Sequence, residues 1–457
     1  MAKIVTTEQM KAVEKAADAK GHSYAAMMEL AGRAVAERVK VWVAGRAQPR
    51  IAILVGPGNN GGDGLVAGRL LKEEIAGATV GAFLLEPRAE DDTVFTAARD
   101  AGVFIADAEN DKAQGYRVLQ NLVANADVVV DALFGTGFKP PIKGEAIKVL
   151  QAARKALALR ESDRPAPPYT TPADPPEPFD LSPIILAVDC PSGLDCDSGE
   201  LDSHALNAHE TVTFAAAKPG LLAFPGAEAV GKLHIANIGL PARLPALDKI
   251  TLTLVEAADV NARLPKRPLD SHKGTFGKAM IAAGSLNYTG AAYLAAAAAY
   301  RVGAGLVTVG APQIIIPTLA AMLPEATWVL LPHDMGVLNE AAVKVLRKEL
   351  EGYTALLLGP GFGTEDVTGD FLRDLLQPKE ELRHSRAMGF VPMEADQKPA
   401  DANNSTTLPP LVLDADGLNL LADMDDWTTL IPPNTILTPH PAEFARLAKI
   451  ERDEVQK

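Results

Sequence analysis

The sequence predicts an α/β protein of two domains, each built on a mainly parallel sheet with helices on both faces. Two observations support this prediction. Short, nearly continuous apolar strands alternate with helical segments through both halves of the chain, and this pattern is typical of parallel sheets that are buried on both sides. The chain also has 457 residues, a length that suggests about two or three domains.

Composition limits the classes of function. Apolar residues make up 47% and charged residues 22% of the chain, as in ordinary globular proteins. The net charge of −14 argues against a nucleic-acid partner, because phosphate binding depends mainly on Lys and Arg. No apolar stretch has the length of a signal peptide or a membrane span, so we expect a cytoplasmic protein without a membrane partner. Cys190 and Cys196 match no zinc spacing and are expected to be reduced and structural.

The first half begins with two predicted helices. Thr6 and Gln9 form a capping-box pattern at the start of the first, and Ser23 begins the second, which ends near Val43. Strands are then predicted at 51–55, 79–85, 128–131, 184–189, 211–214 and 232–236.

Two segments divide the chain. The Pro-rich segment 160–183 indicates an exposed loop inserted in the first domain. The polar segment 241–268, punctuated by prolines, indicates the domain boundary. We therefore expect a first domain at 1–245 and a second at 251–457.

A glycine-rich stretch, Gly-Pro-Gly-Asn-Asn-Gly-Gly-Asp-Gly at 56–64, lies where the strand 51–55 turns into a predicted helix at 63–72. Glycines allow close approach of a ligand, and the free N–H groups at a helix start attract anions. The spacing fits neither the dinucleotide-binding GxGxxG pattern nor the P-loop. The stretch therefore predicts a binding cradle of another kind, the alternative being a tight turn without a ligand.

Asp131 and Asp189 each end a predicted buried strand. Because ligands bind at the carboxyl ends of the strands in open α/β sheets, we expect both side chains to lie near Asn59 and Asn60. Two carboxylates there could hold a metal, exchange protons or divide those roles. The alternative is that they cap helices or fix loops.

Four stretches of the first half together resemble the amino-terminal domain of the bifunctional NAD(P)H-hydrate repair enzymes. They are Met-Glu-Leu-Ala-Gly (28–32), Gly-Asn-Asn-Gly-Gly-Asp-Gly (58–64), Asp-Ala-Leu-Phe-Gly-Thr-Gly (131–137) and Val-Asp-Cys-Pro-Ser-Gly-Leu (188–194). The resemblance covers about residues 5–240. It implies a Rossmann-like three-layer α/β/α domain that epimerises the R and S forms of NAD(P)H hydrate, in which water has added to the nicotinamide ring.

The resemblance implies roles for the matching positions. A potassium ion would be held by Asn60, Asp131 and Ser192, whose oxygen atoms suit a hard cation. Asp189 would transfer the proton, and Lys139 would be a second acid–base or phosphate-contacting group, unless it is a solvated loop lysine. The substrate, NADHX or NADPHX, would be lined by Asn59, Asn60, Gly61, Gly62, Asp63, Gly135, Thr136, Gly137, Phe138, Lys139, Pro140, Pro141 and Asp189.

The second half repeats the alternation of strands and helices. Strands are predicted at 278–283, 306–309, 355–358, 411–414 and 435–438, a helix of small residues at 290–301, and a low-complexity loop at 383–410. The motifs Ser-His-Lys-Gly-Thr-Phe-Gly (271–277), Gly-Pro-Gly-Phe-Gly (359–363) and Thr-Pro-His-Pro (438–441) follow in order. As a series they resemble the carboxy-terminal domain of the same enzymes, a ribokinase-like dehydratase that uses ADP to remove water from the S hydrate.

That resemblance implies that the hydrate contacts Ala291, Gly361 and the segment His440, Pro441, Ala442, Glu443, Phe444, Ala445 and Arg446, where Ala442 replaces a usual glycine. Family members continue into a lysine–glycine segment and a Gly-Thr-Gly-Asp loop that grips the nucleotide and supplies a catalytic aspartate. This chain stops at Lys457 without either. We therefore expect an incomplete ribokinase-like α/β domain, and no dehydratase activity in the 457-residue chain.

Two other functions are compatible with parts of the sequence. Ribokinase-like domains also phosphorylate small molecules, although the order of the motifs from His272 to His440 argues against a kinase. The amino-terminal fold also occurs in non-catalytic scaffolds of messenger-RNA decay, which the acidic charge disfavours. Assembly into a homo-oligomer is left open.

Overall fold

The computed structural model describes residues 2–162, 183–377 and 408–455. The chain forms two compact units, Met1–Leu264 and Pro265–Lys457, and the division falls within the polar segment 241–268. The loops predicted at 160–183 and 383–410 lie almost wholly outside the described residues. In the described parts, no helix combines the length and the apolar character needed to cross a membrane.

The first unit begins with helices α1 (Thr7–Asp18) and α2 (Tyr24–Val43), and both are capped as predicted. The Thr6 hydroxyl accepts a hydrogen bond from the Gln9 amide, and the Gln9 side chain accepts one from the Thr6 amide. The Ser23 hydroxyl accepts from the Ala26 amide. These bonds satisfy donors that a helix start leaves without intrahelical partners, and so fix where each helix begins.

A seven-stranded parallel sheet forms the centre of this unit, in the order β4-β3-β2-β5-β6-β7-β8. Its strands are β2 (Arg50–Val55), β3 (Thr79–Leu84), β4 (Phe104–Asp107), β5 (Val128–Ala132), β6 (Ile184–Val188), β7 (Glu210–Phe214) and β8 (Lys232–Ala236). A short strand β1 (Ala2–Lys3) pairs antiparallel with β9 (Thr253–Leu254). The remaining helices are α3 (Asn59–Glu74), α4 (Thr93–Asp100), α5 (Ala108–Asp111), α6 (Arg117–Asn125), α7 (Glu145–Ser162), α8 (Gly226–Val230), α9 (Pro245–Asp248) and α10 (Ala257–Arg263).

The strands are buried because each face of the sheet carries its own layer of helices. Residues of α1 to α4 pack with one face, and residues of α6 and α7 pack with the other. The predicted three-layer α/β/α domain is therefore confirmed. The helix predicted from Asp63 in fact begins at Asn59, since glycines of the stretch 56–64 form its first turns despite their low helix propensity.

The second unit has a six-stranded parallel sheet in the order β12-β11-β10-β15-β16-β17. The strands are β10 (Lys278–Ala282), β11 (Leu306–Pro312), β12 (Thr327–Leu331), β15 (Ala355–Leu358), β16 (Leu411–Leu413) and β17 (Ile436–Leu437), with a hairpin of β13 (His333–Asp334) and β14 (Val337–Leu338). The helices are α11 (Thr289–Val302), α12 (Ile316–Met322), α13 (Ala341–Glu349), α14 (Asp366–Leu376), α15 (Asp416–Ala422), α16 (Trp427–Leu430) and α17 (Pro441–Ala448). Two apolar clusters pack on this sheet, so the α/β prediction is confirmed here too.

Candidate active site

A cavity of about 750 Å³ lies in the first unit, where the chain leaves the carboxyl ends of β2, β5 and β6. It is the edge at which ligands bind in open α/β sheets. Eight of the predicted substrate residues line the cavity: Asn59, Asn60, Asp63, Gly135, Thr136, Gly137, Phe138 and Asp189. The structure thus brings residues of the segments 59–63 and 135–138 together with Asp189 at one cavity.

Five other predicted substrate residues are not part of the lining: Gly61, Gly62, Lys139, Pro140 and Pro141. Gly61 packs against the loop itself, and a Cβ added there would lie 2.0 Å from the Gly56 carbonyl oxygen. Gly62 faces Met28, with 2.9 Å between the added Cβ and the methionine methyl. These two glycines therefore allow the loop to fold closely on its surroundings.

The start of α3 offers the cavity a set of backbone donors. Gly58 is the N-cap and has no side chain to satisfy the first amides of the helix. The loop before it is held by Arg88, whose Nη2 donates to the carbonyl oxygens of Gly56 and Gly58, both at 2.8 Å. Free amides at the start of a long helix favour a bound anion, which agrees with the predicted cradle.

Asp131 and Ser192 form a buried pair directly behind the cavity wall. Ser192 donates its amide to Oδ2 of Asp131 at 2.8 Å and its hydroxyl to Oδ1 at 2.5 Å. The Phe134 amide donates to the Ser192 hydroxyl oxygen at 2.9 Å. Asp131 is fully buried, and this burial raises the pKa of its carboxyl group although the bonds from Ser192 oppose the shift.

Asn60 joins this pair to the cavity. Its side chain lies over Gly135, since a Cβ added to Gly135 would be 3.2 Å from Oδ1 of Asn60. Its amide nitrogen is buried and has no hydrogen-bond partner among the described residues. Asn60 thus contacts Gly135, the residue after Phe134, whose amide donates to Ser192, and the carboxylate, hydroxyl and amide oxygens of these side chains are of the kind that suits a hard cation.

Asp189 directly follows β6 and has a left-handed backbone conformation, with φ of 63°. Residues other than glycine seldom adopt this conformation. Its amide donates to the Val212 carbonyl oxygen at 2.7 Å. Oδ1 accepts hydrogen bonds from the Thr213 hydroxyl at 2.9 Å and from Nζ of Lys218 at 2.7 Å. The strained turn and these two bonds fix the carboxylate on the cavity wall, as is common at functional sites.

Two further carboxyl groups, of Asp63 and Glu14, line the same cavity. Burial raises the pKa of the Asp63 carboxyl well above its usual value, and the charges of Asp189 and Glu14 raise it further. Burial also raises the pKa of Glu14, with a second contribution from Asp189. The site therefore favours keeping protons on some of its carboxyl groups, as acid–base chemistry requires.

The Lys139 side chain forms ion pairs with two carboxylates that do not line the cavity. Its Nζ lies 2.7 Å from Oδ1 of Asp195 and 3.3 Å from Oδ2 of Asp197. The hydrogen bond to Asp195 is the main cause that raises the pKa of the lysine. An acid–base or phosphate-binding role for Lys139 remains a hypothesis, and its ammonium would have to leave these partners to perform it.

Several residues of the site were not predicted. Lys11, Glu14, Tyr24 and Phe214 line the cavity, and Lys218 holds Asp189. One signal could have identified Lys218: it is the single charged residue between Glu210 and Glu228. A lysine in so apolar a run is seldom buried without a charged partner.

The second unit places its predicted residues along one edge of its sheet. Gly361 and Ala291 are in close contact, because a Cβ added to Gly361 would lie 2.7 Å from that of Ala291. The segment 440–446 follows β17, and β16 lies between β17 and the strand that precedes Gly361. Nδ1 of His440 accepts the Ala442 amide at 3.1 Å and caps α17, and Arg446 donates to Asn419 at 2.7 Å.

Known proteins resemble both halves of the chain. The pattern of the family described as YjeF-related protein N-terminus matches residues 24–220, and that of the family described as NAD(P)H-hydrate dehydratase matches residues 279–382 and 389–457. The bifunctional NAD(P)H-hydrate repair enzyme Nnr of Moorella thermoacetica is 34% identical over 448 residues, which cover 94% of this chain and 72% of that protein. The enzyme of the same name from Thermofilum pendens is 30% identical over 463 residues, covering 99% and 76%.

A solved structure, that of the ADP/ATP-dependent NAD(P)H-hydrate dehydratase from Bacillus subtilis, is 29% identical and covers 44% of this chain and 57% of that one, with a TM-score of 0.31. The assignment depends on the sequence relatives, which span both units. They support the main interpretation of the sequence and neither of its alternatives. With an epimerase-type first domain and a dehydratase-type second domain, the chain belongs to the family of bifunctional NAD(P)H-hydrate repair enzymes.

Proposed function

We propose that the first unit interconverts the R and S forms of NADHX or NADPHX in the cavity at the ends of β2, β5 and β6, with Asp189 as the group that transfers the proton. The position of Asp189 supports this most directly. Its carboxylate is fixed on the wall of a cavity of about 750 Å³, and the start of α3 lines the same cavity. The cavity volume lies in the range typical of small-molecule sites, about 300–1,000 Å³.

In this mechanism, the free amides at the start of α3 bind the substrate's phosphates and orient its nicotinamide ring. A carboxyl proton passes to the hydroxyl on the hydrated ring carbon. The C–O bond breaks and water leaves, while the lone pair of the ring nitrogen forms a C=N bond. Water then adds to the opposite face and returns a proton to the carboxylate, so one group that gives and takes a proton is sufficient.

The experiment is an epimerisation assay on Asp189→Asn. We expect turnover to fall about 10²- to 10⁴-fold, the usual contribution of a general acid–base group, with the fold unchanged by circular dichroism. One pure epimer of NADHX is supplied, and the appearance of the other is followed by chromatography. The control is Asp107→Asn, at the end of β4 in the same sheet and outside the cavity lining. Wild-type turnover in Asp189→Asn would remove this residue from the role.

We propose that Asn60, Asp131 and Ser192 hold a potassium ion in the first unit. The support is a fully buried carboxylate, Asp131, that accepts hydrogen bonds from neutral donors, the amide and hydroxyl of Ser192 and the amide of Leu133. When bound, the ion supplies positive charge next to that carboxylate. We expect faster epimerisation in potassium than in choline salts at equal ionic strength, and loss of this difference in Asp131→Asn. Equal rates of the wild type in both salts would contradict the proposal.

In the second unit we propose that Ala291, Gly361 and residues 440–446 contact the S hydrate, which is dehydrated to NAD(P)H with ADP. The support is the close packing of Ala291 on Gly361 at the carboxyl edge of the sheet. ADP-dependent recovery of the reduced-nicotinamide absorbance measures this activity.

We also propose that the protein acts on these small molecules in the cytoplasm, with no nucleic-acid or membrane partner. The acidic charge supports the first exclusion, because nucleic-acid binding depends on basic surfaces. Fractionation of cells and titration with RNA at physiological salt test both points. Sedimentation would determine whether the chain forms a homo-oligomer.

A further inference from the structure

Lys218 is the most unusual side chain near the cavity. It is 1% exposed, although lysines are almost never fully buried unless they are paired. Its Nζ has three partners, Oδ1 of Asp189 at 2.7 Å, Oγ1 of Thr213 at 2.6 Å and the Phe214 carbonyl oxygen at 3.3 Å. An ammonium group has three protons, so these bonds use its full donor capacity.

The hydrogen bonds to Asp189 are asymmetric. Both side chains that donate to this carboxylate, those of Thr213 and Lys218, reach Oδ1. Among the described residues, none donates a hydrogen bond to Oδ2. The two oxygens of the carboxylate are therefore placed in different environments, one held by protein and the other left for the cavity that Asp189 lines.

We propose that Lys218 and Thr213 are positioning residues that hold Oδ1 of Asp189, so that Oδ2 is the atom that exchanges the proton with the substrate. This inference rests on the proposed epimerase function and specifies its acting atom. Neither residue lines the cavity, so both act through Asp189 and not on the substrate. A proton can add to Oδ2 and leave again without breaking the bonds at Oδ1, and the carboxyl group thus keeps its orientation through the reaction.

Backbone pairing explains why the three groups meet. Asp189 directly follows β6, Thr213 lies on the adjacent β7, and Val188 is in register with Val212. The chain after β7 then returns Lys218 to the end of the same two strands, where its Nζ reaches the Phe214 carbonyl oxygen. The arrangement is thus set by the sheet and not by a mobile surface chain.

Charge gives the second argument. The ionisable groups whose charges act together with Asp189 are Glu14, Asp63, Lys218 and the thiol of Cys190. Lys218 is the buried cation of this group, and it opposes the rise in pKa that burial causes in both Glu14 and Asp63. Lys218 thus places a buried positive charge directly against the Asp189 carboxylate, with its Nζ 2.7 Å from Oδ1.

The test is the steady-state kinetics of three variants in the complete chain, with pure NADHX epimers as substrate. We expect Lys218→Met to lower kcat about 10²-fold or more, as for the loss of an acid–base group, with KM nearly unchanged. Thr213→Val, which keeps the shape of the side chain, should lower kcat about tenfold, as expected for one hydrogen bond to a charged group. The double variant Lys218→Met/Asp189→Asn should be no slower than Asp189→Asn alone, because residues that act as a unit are not additive.

A merely structural role would give another pattern. In that case KM and kcat would change together with stability, and the losses in the double variant would add. If Asp189→Asn is inactive while Lys218→Met and Thr213→Val keep wild-type kcat, the positioning role is overturned and the proposed function stands. If Asp189→Asn keeps wild-type turnover, Asp189 is not the proton-transferring group and this inference falls with that role. If the wild type does not epimerise NADHX, the proposed function itself fails.

Folding of the variants is controlled separately. Lys218→Met leaves a buried carboxylate without its cation, which is costly, whereas the double variant removes both charges and should melt at a higher temperature than Lys218→Met. If Lys218→Met does not fold, the kinetics of Thr213→Val alone test the inference. A lower kcat at unchanged KM supports the inference, and a wild-type kcat in a folded Thr213→Val protein overturns it.

Discussion

Asp63 shows how a single side chain of the site couples function to stability. Its carboxyl group is buried in the cavity lining, and its pKa is raised well above the ordinary value of 3.8, mainly by burial and then by the charges of Asp189 and Glu14. In the unfolded chain the same group ionises at its ordinary pKa. The folded protein therefore binds a proton that the unfolded chain releases, and the free energy of unfolding falls as the pH rises between the two pKa values.

Replacing Asp63 by Asn removes this ionisation while keeping the shape of the side chain. We expect Asp63→Asn to raise the melting temperature at neutral and alkaline pH and to have little effect below the ordinary pKa of 3.8. Thermal unfolding of both proteins across that pH range is the measurement. Asp107→Asn, at a strand end that does not line the cavity, is the control. If the melting temperature of Asp63→Asn exceeded that of the wild type by the same amount at every pH, the ionisation of Asp63 would not be the cause.

At the level of single residues, the sequence indicates groups that share a short motif, and it misses groups that meet only through the fold. Asn60, Asp131 and Ser192 stand in recognisable stretches, and the structure connects them through Gly135 and Phe134. The partner of Asp189 is Lys218, 29 positions further along the chain. No motif spacing links the two, because their contact depends on the pairing of β6 with β7.

At the level of elements, the turn between β2 and α3 depends on close contact with the loop after β5. A Cβ added to Gly56 would lie 1.8 Å from the carbonyl oxygen of Leu133, a backbone atom that cannot rotate away. We expect Gly56→Ala to separate the two loops, to destabilise the protein by about 1–3 kcal/mol or more, as overpacking does, and to reduce epimerisation.

Gly58→Ala is the matched control for this prediction. It lies in the same turn, where an added Cβ meets no atom within 4 Å and φ is −88°, so alanine fits. Urea unfolding of both variants measures the difference in stability. Equal stability of Gly56→Ala and Gly58→Ala would show that the contact with Leu133 does not determine the turn.

Of the strands in the two large sheets, the sequence predicts all but two. The central strands of both units are apolar runs, and their predicted ends lie within three residues of the observed ones, with the largest difference at the end of β11. The strands β4 and β12 were missed. They lie at the sheet edges, and Phe104 and Leu330 are exposed. Their apolar runs, 103–106 and 328–331, have only four residues each, and periodicity alone does not distinguish so short a run from part of a buried helix.

At the level of the whole molecule, the two ends of the first unit are joined to each other. Residues 2–3 of β1 pair with β9, the Ile4 amide donates to the Leu252 carbonyl oxygen at 3.1 Å, and Nζ of Lys3 donates to the Ile250 carbonyl oxygen at 2.6 Å. Ile250 is 6% exposed and belongs to the apolar cluster that contains Val5 and α2. The segment after residue 245 is therefore packed as part of this unit.

These contacts bear on where the first domain ends. The sequence places the end at residue 245, whereas the first compact unit ends at residue 264. We expect a fragment of residues 1–264 to be more stable than one of residues 1–245, because the shorter fragment exposes the pocket of Ile250 and loses the partner of β1. Burial of one isoleucine side chain alone contributes about 1.5–3 kcal/mol to the free energy of unfolding. Thermal unfolding of both fragments measures the difference, and Ile250→Ala in the longer fragment separates the apolar contact from the strand pairing. Equal melting temperatures would place the limit at 245, whereas a lower one for the shorter fragment would show that β9 completes the fold that carries the cavity.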